Sequence, residues 1–262
     1  MERSDYMRPP LWLVLVIFVL VTLLQFPTNI IMEKSSAAIG IFVDEVFFIL
    51  ILPLLILRLA GYKPSKFLRF GRSSNITLMV CVCLIFGAGV LLSYIQTVMT
   101  SLVPIPEKLL RMQSQVMWVS SWGDFYLKLV LIAIVAPICE EILFRGLIQD
   151  ALSDRVGKTK AIFITAIFFS LMHSMSFQPI LFFLLGLVFA WIYAVTGSLR
   201  TAIVCHAINN TWAMAMDVQN MGFPLQMPVG APDVMMVIFA LLVVACSLAW
   251  FGLRGWKLKE AP

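Results

Sequence analysis

The side chains best able to do chemistry in this sequence lie inside apolar segments. The stretch 136–146 reads Ala-Pro-Ile-Cys-Glu-Glu-Ile-Leu-Phe-Arg-Gly and carries Glu140, Glu141 and Arg145. On a helix Glu141 and Arg145 share one face, because they are four residues apart, and they can form an ion pair. Glu140 is rotated by about 100° from Glu141 and lacks that partner. We therefore predict one structural carboxylate, Glu141, and one free carboxylate, Glu140.

Both histidines of the chain also lie in apolar segments. Phe169 precedes His173 by one helical turn and Asn210 follows His206 by one turn, so each pair shares a helix face. With a rise of ~1.5 Å per residue, Glu140 lies ~15 Å, His173 ~18 Å and His206 ~8 Å from the cytoplasmic ends of their helices. The three side chains are therefore expected to meet in one cavity that opens towards the cytoplasm.

Placing such residues at lipid depth is costly. An ionisable side chain at the centre of a transmembrane helix costs at least ~2.5–3.5 kcal/mol. A single buried histidine is more often a hydrogen-bonded core residue, and a Glu–Arg pair is more often structural. The joint occurrence of a free glutamate, two histidines and an asparagine on three helices favours a functional site. Asp44 and Glu45, about five residues from the outer end of their apolar run, are instead expected at the membrane interface with no chemical role.

The elements that must position these residues are membrane-spanning helices. Of the 262 residues, 61% are hydrophobic and only 13% are charged, whereas a soluble domain carries about 25% charged residues. One crossing takes ~20 apolar residues, and eight apolar runs occur, at about 11–32, 38–60, 76–100, 126–150, 161–177, 179–196, 201–216 and 234–253. We predict an all-α polytopic membrane protein of about eight transmembrane helices, with residues 1–262 forming a single transmembrane domain.

The positive charge follows the loops between these runs. The net charge is +5, but the basic residues form short clusters rather than a patch for nucleic acid. Lysine and arginine accumulate in cytoplasmic loops. With the N-terminus inside, fourteen of the nineteen lysines and arginines fall on the cytoplasmic side and three, Lys34, Lys108 and Arg111, on the other. We expect an integral protein of the cell membrane with both termini in the cytoplasm and no nucleic-acid partner.

At these residues the sequence resembles the CPBP family of intramembrane endopeptidases, also called the type II CAAX-protease and bacteriocin-processing family. The family signature has three blocks on separate helices: Glu-Glu-x-x-x-Arg, Phe-x-x-x-His, and His-x-x-x-Asn or Asp. Residues 140–145, 169–173 and 206–210 match these blocks in order, within a signature region at 126–216. Each block alone is a weak signal, but three blocks in order at lipid depth are specific.

The resemblance implies a protease domain that hydrolyses a peptide bond of a membrane-associated peptide or protein. By it, Glu140 with His173 would activate the attacking water, and His206 with Asn210 would stabilise the oxyanion. The predicted ion pair would then organise the site. Some members of the family trim the C-terminus of prenylated proteins, and bacterial relatives are linked to peptide maturation, bacteriocin immunity or abortive infection. The implied partners are the lipid bilayer and such a substrate.

Other chemistries stay open at the same residues. Glu140, His173 and His206 could instead hold zinc, since two histidines and one glutamate are an attested catalytic zinc set. The His-Glu-x-x-His spacing is absent, and Asn210 is a poor zinc ligand, so hydrolysis without a cofactor is favoured. A proton- or ion-coupled transporter would also place charged residues in its spans. A non-catalytic immunity or scaffold protein of the same fold is a further alternative.

Overall fold

The computed structural model describes residues 8–34, 36–103, 107, 119, 121–173, 179–217 and 233–255. Helices and turns account for these residues, with no β-strand in the described ranges. The helices are α1 (Leu11–Lys34), α2 (Ala37–Leu59), α3 (Pro64–Phe67), α4 (Asn75–Leu102), α5 (122–156), α6 (Lys158–Met172), α7 (Pro179–Thr196), α8 (Leu199–Asp217) and α9 (Val234–Leu253). The predicted all-α fold is confirmed, and all these helices except the short α3 correspond to the eight apolar runs.

Lipid surrounds much of the outer surface of this polytopic membrane protein. Helices α2, α4, α7 and α9 are each long and apolar enough to cross a bilayer, and α1 contains a shorter apolar stretch, Leu11–Gln25. Helices α5 and α8 carry the polar residues of interest, and α6 has only 15 residues. A polytopic membrane fold is therefore confirmed, while the full count of eight crossings stays a prediction.

Local sequence signals set the ends of several helices. The side chains of Ser74, Ser121 and Asp233 each accept a hydrogen bond from the backbone N–H three residues later, at 3.2, 3.1 and 2.7 Å. Such caps satisfy amides at the starts of α4, α5 and α9 that have no partner within the helix. Between α5 and α6, Gly157 has φ +81°, a conformation that glycine adopts without steric cost. The chain can therefore end α5 and begin α6 within one residue.

Three stretches of the long helices have π-helical hydrogen bonding, which is rare and frequent at functional sites. One is Val43–Ile51 in α2, and the others are Leu131–Val135 and Ile142–Gln149 in α5. Asp44 and Glu45 lie in the first turn of the stretch in α2, and each is only 8% exposed. Both acids are buried within the protein because α2 packs its π-helical stretch against α5, while their interfacial depth in the membrane stays a prediction.

Helix α5 occupies the centre of the fold. Every residue from Ile142 to Gln149 is buried, and α2, α6, α7 and α8 all pack against its middle, residues 136–149. Helices in lipid gain little hydrophobic driving force against each other, so close packing and polar contacts hold them together. A Cβ atom on Gly186 would lie 3.2 Å from Cα of Ala166. Glycine at this position therefore lets α7 approach α6 closely beside the polar centre of α5.

Candidate active site

Glu141 and Arg145 form the ion pair that their spacing predicts. Arg145 Nη1 donates to Glu141 Oε1 at 2.8 Å, and Nη2 donates to the carbonyl of Gly186 at 3.2 Å. Both side chains are fully buried. The guanidinium carbon lies 5.0 Å from the ring centre of Phe169 and 5.5 Å from that of Phe189, within cation–π range. The pair thus connects α5 to α6 and α7 in a place where an unpaired charge would be costly.

His206 is oriented by the same carboxylate. Its Nδ1 lies 2.8 Å from Glu141 Oε1, and its ring stacks on Phe189 with the centres 4.4 Å apart. A carboxylate oxygen that also binds Arg145 can only accept, so Nδ1 carries the hydrogen. The other nitrogen, Nε2, faces Glu140 Oε2 at 3.9 Å. Glu141 therefore has two roles: it pairs with the arginine and fixes the direction of the imidazole.

His173, at the C-terminal end of α6, faces the other oxygen of the Glu140 carboxylate. Its Nδ1 lies 2.8 Å from the carbonyl oxygen of Phe169, so Nδ1 must be the donor, and its ring stacks on Phe182 at 4.4 Å. Its Nε2 lies 3.9 Å from Glu140 Oε1. The predicted helical run at 161–177 extends further than α6, which ends at Met172; His173 follows that end and residues 174–178 lie outside the described ranges. The side chain is 24% exposed, against 7% for Glu140 and 3% for His206, so it is the most accessible of these three.

Glu140 lies between the two imidazoles, as the depth argument predicts. Each of its carboxylate oxygens faces one Nε2 atom at 3.9 Å, too far for a direct hydrogen bond. The residue is 5% exposed, and its Oε2 has no hydrogen-bond partner among the described residues. A buried carboxylate without a partner is costly. Such an atom is expected where a substrate or a reacting water will bind.

Glu45 is a polar neighbour of the site that the sequence reading set aside. Its carboxyl lies beside that of Glu140, and its Oε2 has no hydrogen-bond partner in the described part of the chain. The preceding Asp44 accepts a hydrogen bond from Gln25 Nε2 at 3.4 Å instead. Glu45 carries the same sequence signal as Glu140, since both are ionisable residues within an apolar run. The position of the two acids near one end of that run nevertheless favours an interfacial role.

Asn210 lies on the same face of α8 as His206 but makes its described contacts elsewhere. Its Nδ2 donates to the carbonyl of Ile132 at 3.0 Å, and its Oδ1 accepts from Asn209 Nδ2 at 3.2 Å. The first contact fixes α8 against a π-helical stretch of α5. One N–H of the Asn210 amide remains for another acceptor, since a primary amide has two.

The zinc alternative does not fit the described side chains well. Among the residues that the structure describes, no three His, Cys, Asp or Glu side chains are arranged to hold a metal ion. Glu140 and the two Nε2 atoms are suitable donors, but the separations of 3.9 Å exceed the roughly 3.4 Å that ligands of a tetrahedral zinc with ~2.1 Å bonds would have. No step through a metal is therefore derived for this site.

Comparison with known proteins covers the same part of the chain. Residues 122–212 match the family model described as type II CAAX prenyl endopeptidase Rce1-like. A curated protein of Bacillus subtilis (strain 168), named "Putative membrane peptidase YdiL", is 31% identical over 93 residues. That alignment covers 36% of this chain and 38% of the curated relative. No solved structure matches the chain significantly. All three signature blocks fall inside residues 122–212.

Proposed function

Because residues 122–212 are of the Rce1-like, CPBP type, we propose that this protein is an intramembrane endopeptidase. It hydrolyses a peptide bond of a membrane-associated peptide or protein. The observation that carries the proposal is the position of Glu140, whose two carboxylate oxygens each face the Nε2 atom of one histidine at 3.9 Å. Peptide hydrolysis needs a base next to the attacking water, and this arrangement supplies one.

Glu140 acts as the general base. A water molecule bound between Glu140 and the imidazoles donates one hydrogen to the carboxylate and directs the other to Nε2 of His173, which has a lone pair because Nδ1 donates to Phe169. As the water oxygen attacks the peptide carbonyl carbon, its proton moves to Glu140. The same proton is then delivered to the nitrogen of the leaving peptide when the C–N bond breaks.

His206 and Asn210 stabilise the negative charge on the carbonyl oxygen. Because Nδ1 of His206 donates to Glu141, its Nε2 can donate to an oxyanion only when the imidazole is protonated. The Glu141 carboxylate behind the ring holds the imidazole in its orientation, as the carboxylate of a catalytic triad does. Asn210 adds the amide N–H that Ile132 does not use. Donors that are already oriented lower the barrier most.

The site opens to the cytoplasm in the proposed orientation, with both termini inside the cell. The polar connections at 101–125 and 217–233 then face outward, and most of their residues lie outside the described ranges. Reporter fusions after Lys66, Lys158 and the C-terminus should report cytoplasm, and fusions near Glu107 and Gln226 the other side. A loop 63–72 found outside would reverse the topology and remove the inward-opening site.

The position of the proposed site within the membrane limits the class of substrate. A side chain at the membrane-embedded site can be reached by a peptide that is itself membrane-associated, as are prenylated C-termini and hydrophobic precursor peptides. The proposal therefore includes CAAX-type processing and peptide or bacteriocin maturation as its two substrate groups. Neither needs a nucleic acid.

The test compares the membrane peptides of cells that carry wild-type protein or Glu140→Gln. Glu107→Gln serves as the matched control, because Glu107 is exposed and outside the site. An uncut peptide or protein should accumulate with Glu140→Gln only, and it identifies the substrate. Identical peptide sets in all three, together with substrate-driven uptake into proteoliposomes, would favour a transporter instead. Retained function of Glu140→Gln without any cleavage would favour a scaffold or immunity role.

A further inference from the structure

Helix α2 brings a second glutamate to the proposed base. Glu45 and Glu140 are 8% and 5% exposed, and the packing of α2 against α5 brings their carboxyl groups within reach of a hydrogen bond. In the described part of the chain, each also has an Oε2 atom with no hydrogen-bond partner. The contact joins α2, which lies outside the matched residues 122–212, to the middle of α5.

The chemistry of this contact requires a hydrogen. A carboxylate can only accept, so two carboxyl groups can hydrogen-bond only if one is protonated. The hydrogen bonds of Arg145 go to Glu141 and Gly186 rather than to either member of the pair. The other ionisable neighbours are Glu141, which follows Glu140 in the chain, Asp44, which lies beside Glu45, and the imidazoles of His173 and His206, whose Nε2 atoms face Glu140.

The distribution of these neighbours indicates which glutamate holds the hydrogen. Glu140 has Nε2 of His206 beside it, and that imidazole stabilises a negative carboxylate in the protonated state that the proposed reaction uses. Glu45 has Glu140 as its described polar contact and a second acid, Asp44, next to it in sequence. Of the two groups, Glu45 has less to stabilise a charge. It is therefore the hydrogen donor and Glu140 the acceptor.

The local backbone of α2 at Glu45 is also unusual. Glu45 lies in the π-helical stretch Val43–Ile51 of α2, and a π-helical turn includes an extra residue that changes the direction of the side chains that follow or precede it. Such turns are less stable than regular α-helix and are found mainly where function requires them. Burying an acid in such a turn combines two unfavourable features at one place.

We propose that Glu45 is a positioning residue, which donates a hydrogen bond to Glu140 and holds its carboxylate between the imidazoles of His173 and His206. The role rests on the proposed function, since Glu140 is the base in that reaction. Glu45 does not touch the substrate. It acts by fixing the direction of Glu140 and by keeping the second carboxyl of the pair neutral.

The first experiment uses two substitutions that differ in one property. Glu45→Gln keeps an N–H donor and a similar shape, whereas Glu45→Met keeps the length but has no donor. With a cleaved substrate in hand, we expect kcat of Glu45→Gln to stay within about threefold of wild type. Glu45→Met should lose about tenfold or more in kcat with KM unchanged, as for a lost hydrogen bond to a charged group. Equal kcat values for the two substitutions, or a wild-type kcat for Glu45→Met, would overturn the proposal.

Asp44→Asn is the matched control, because the neighbouring acid contacts Gln25 rather than hydrogen-bonding to Glu140. It should leave kcat within about threefold of wild type, and a loss equal to that of Glu45→Met would count against a specific role for Glu45. Thermal unfolding of each detergent-purified variant separates a loss of catalysis from a loss of folded protein. Should Glu45→Met fail to fold, the measurement below decides the matter with Glu45→Gln.

The second measurement needs no substrate. Infrared difference spectra between wild type and Glu45→Gln at neutral pH report whether the removed group was a protonated carboxyl or a carboxylate, because their C=O stretching bands are well separated. We expect the loss of a protonated-carboxyl band. Loss of carboxylate bands alone would overturn the proposal. If wild type cleaves nothing, the proposed protease function fails, while this spectrum still decides the state of Glu45.

Discussion

Helix α5 carries two buried acidic clusters that differ in how completely their polar atoms are bonded. The first is the candidate active site around Glu140. The second lies about three turns later, where Asp150 is 2% exposed and pairs with Arg69, while Tyr193 Oη donates to it at 3.0 Å. Arg8 lies 3.9 Å from the same carboxylate. Both oxygens of Asp150 therefore have partners.

The candidate site leaves polar atoms without partners in the described part of the chain, at Glu140 Oε2, Glu141 Oε2, Arg145 Nε and Glu45 Oε2. A cluster whose atoms are all bonded stabilises the fold, whereas unpaired buried atoms cost free energy that stability alone does not explain. The difference supports the proposal that the Asp150 cluster holds α5 in place and the Glu140 cluster does chemistry.

The arginines of the Asp150 cluster are more exposed than Arg145 of the candidate site, at 15% for Arg8 and 17% for Arg69 against 0%. Burial alone would lower the pKa of Arg69, but Tyr193 and Asp150 outweigh this effect and raise the pKa above its ordinary value. The guanidinium therefore stays charged. The backbone at Arg69 is fixed as well, since its carbonyl accepts from the amide of Leu199 at 2.8 Å. The cluster thus connects the loop before α4 to α5, α7 and α8.

From the comparison of the two clusters, we expect the largest loss of kcat for Glu140→Gln. Deleting the base should lower kcat by about 10²–10⁴-fold, the range for general base catalysis, with KM and the unfolding temperature near wild type. Cleavage of an identified substrate by detergent-purified protein, with Glu107→Gln as control, measures it. A wild-type kcat would assign the chemistry to another residue.

Glu141→Gln should fail in a different way. Removal of its charge leaves Arg145 buried and unpaired, at a cost of roughly 3–5 kcal/mol for a fully buried pair, and also leaves His206 without its carboxylate. We expect a lower unfolding temperature as well as lower activity. Thermal unfolding of this variant beside Glu140→Gln checks the division of roles, and equal unfolding temperatures would contradict it.

Asp150→Asn should reduce stability without removing the chemistry. Hydrogen bonds to a charged group contribute about 1.5–3 kcal/mol, and the change weakens those from Arg69 and Tyr193. The folded fraction should keep a kcat within about twofold of wild type. Asp154→Asn is the control, since Asp154 is 43% exposed and its ion pair with Arg8 is worth at most about 1 kcal/mol. A kcat loss as large as that of Glu140→Gln would erase the distinction between the clusters.

The smallest expected effect is that of metal removal. Prolonged treatment with EDTA and with 1,10-phenanthroline should leave kcat unchanged, because the proposed reaction uses Glu140 and a water without a metal. Elemental analysis of the purified protein accompanies the assay. Stoichiometric zinc, with activity lost on its removal and restored on its return, would make Glu140, His173 and His206 ligands instead.

Sequence alone was sufficient for features that depend on one helix or on composition. The apolar runs predicted the helices, because crossing a bilayer requires about 20 apolar residues in a helix. The i,i+4 spacing predicted the Glu141–Arg145 pair, because the helical period puts those side chains on one face. The order of the three signature blocks predicted the match to the Rce1-like family model over residues 122–212. The depths of Glu140 and the two histidines in their helices predicted that these side chains lie close together.

Only the tertiary structure decided the contacts between helices. The place of Glu45 depends on the packing of a π-helical stretch of α2 against α5, which a regular 3.6-residue period cannot predict. The hydrogen on Nδ1 of each histidine depends on a carbonyl or carboxylate that the fold supplies, and the contact of Asn210 with Ile132 depends on where α8 crosses α5. Helical periodicity fixes which residues share a face of one helix, but the neighbour that each face meets is fixed by packing.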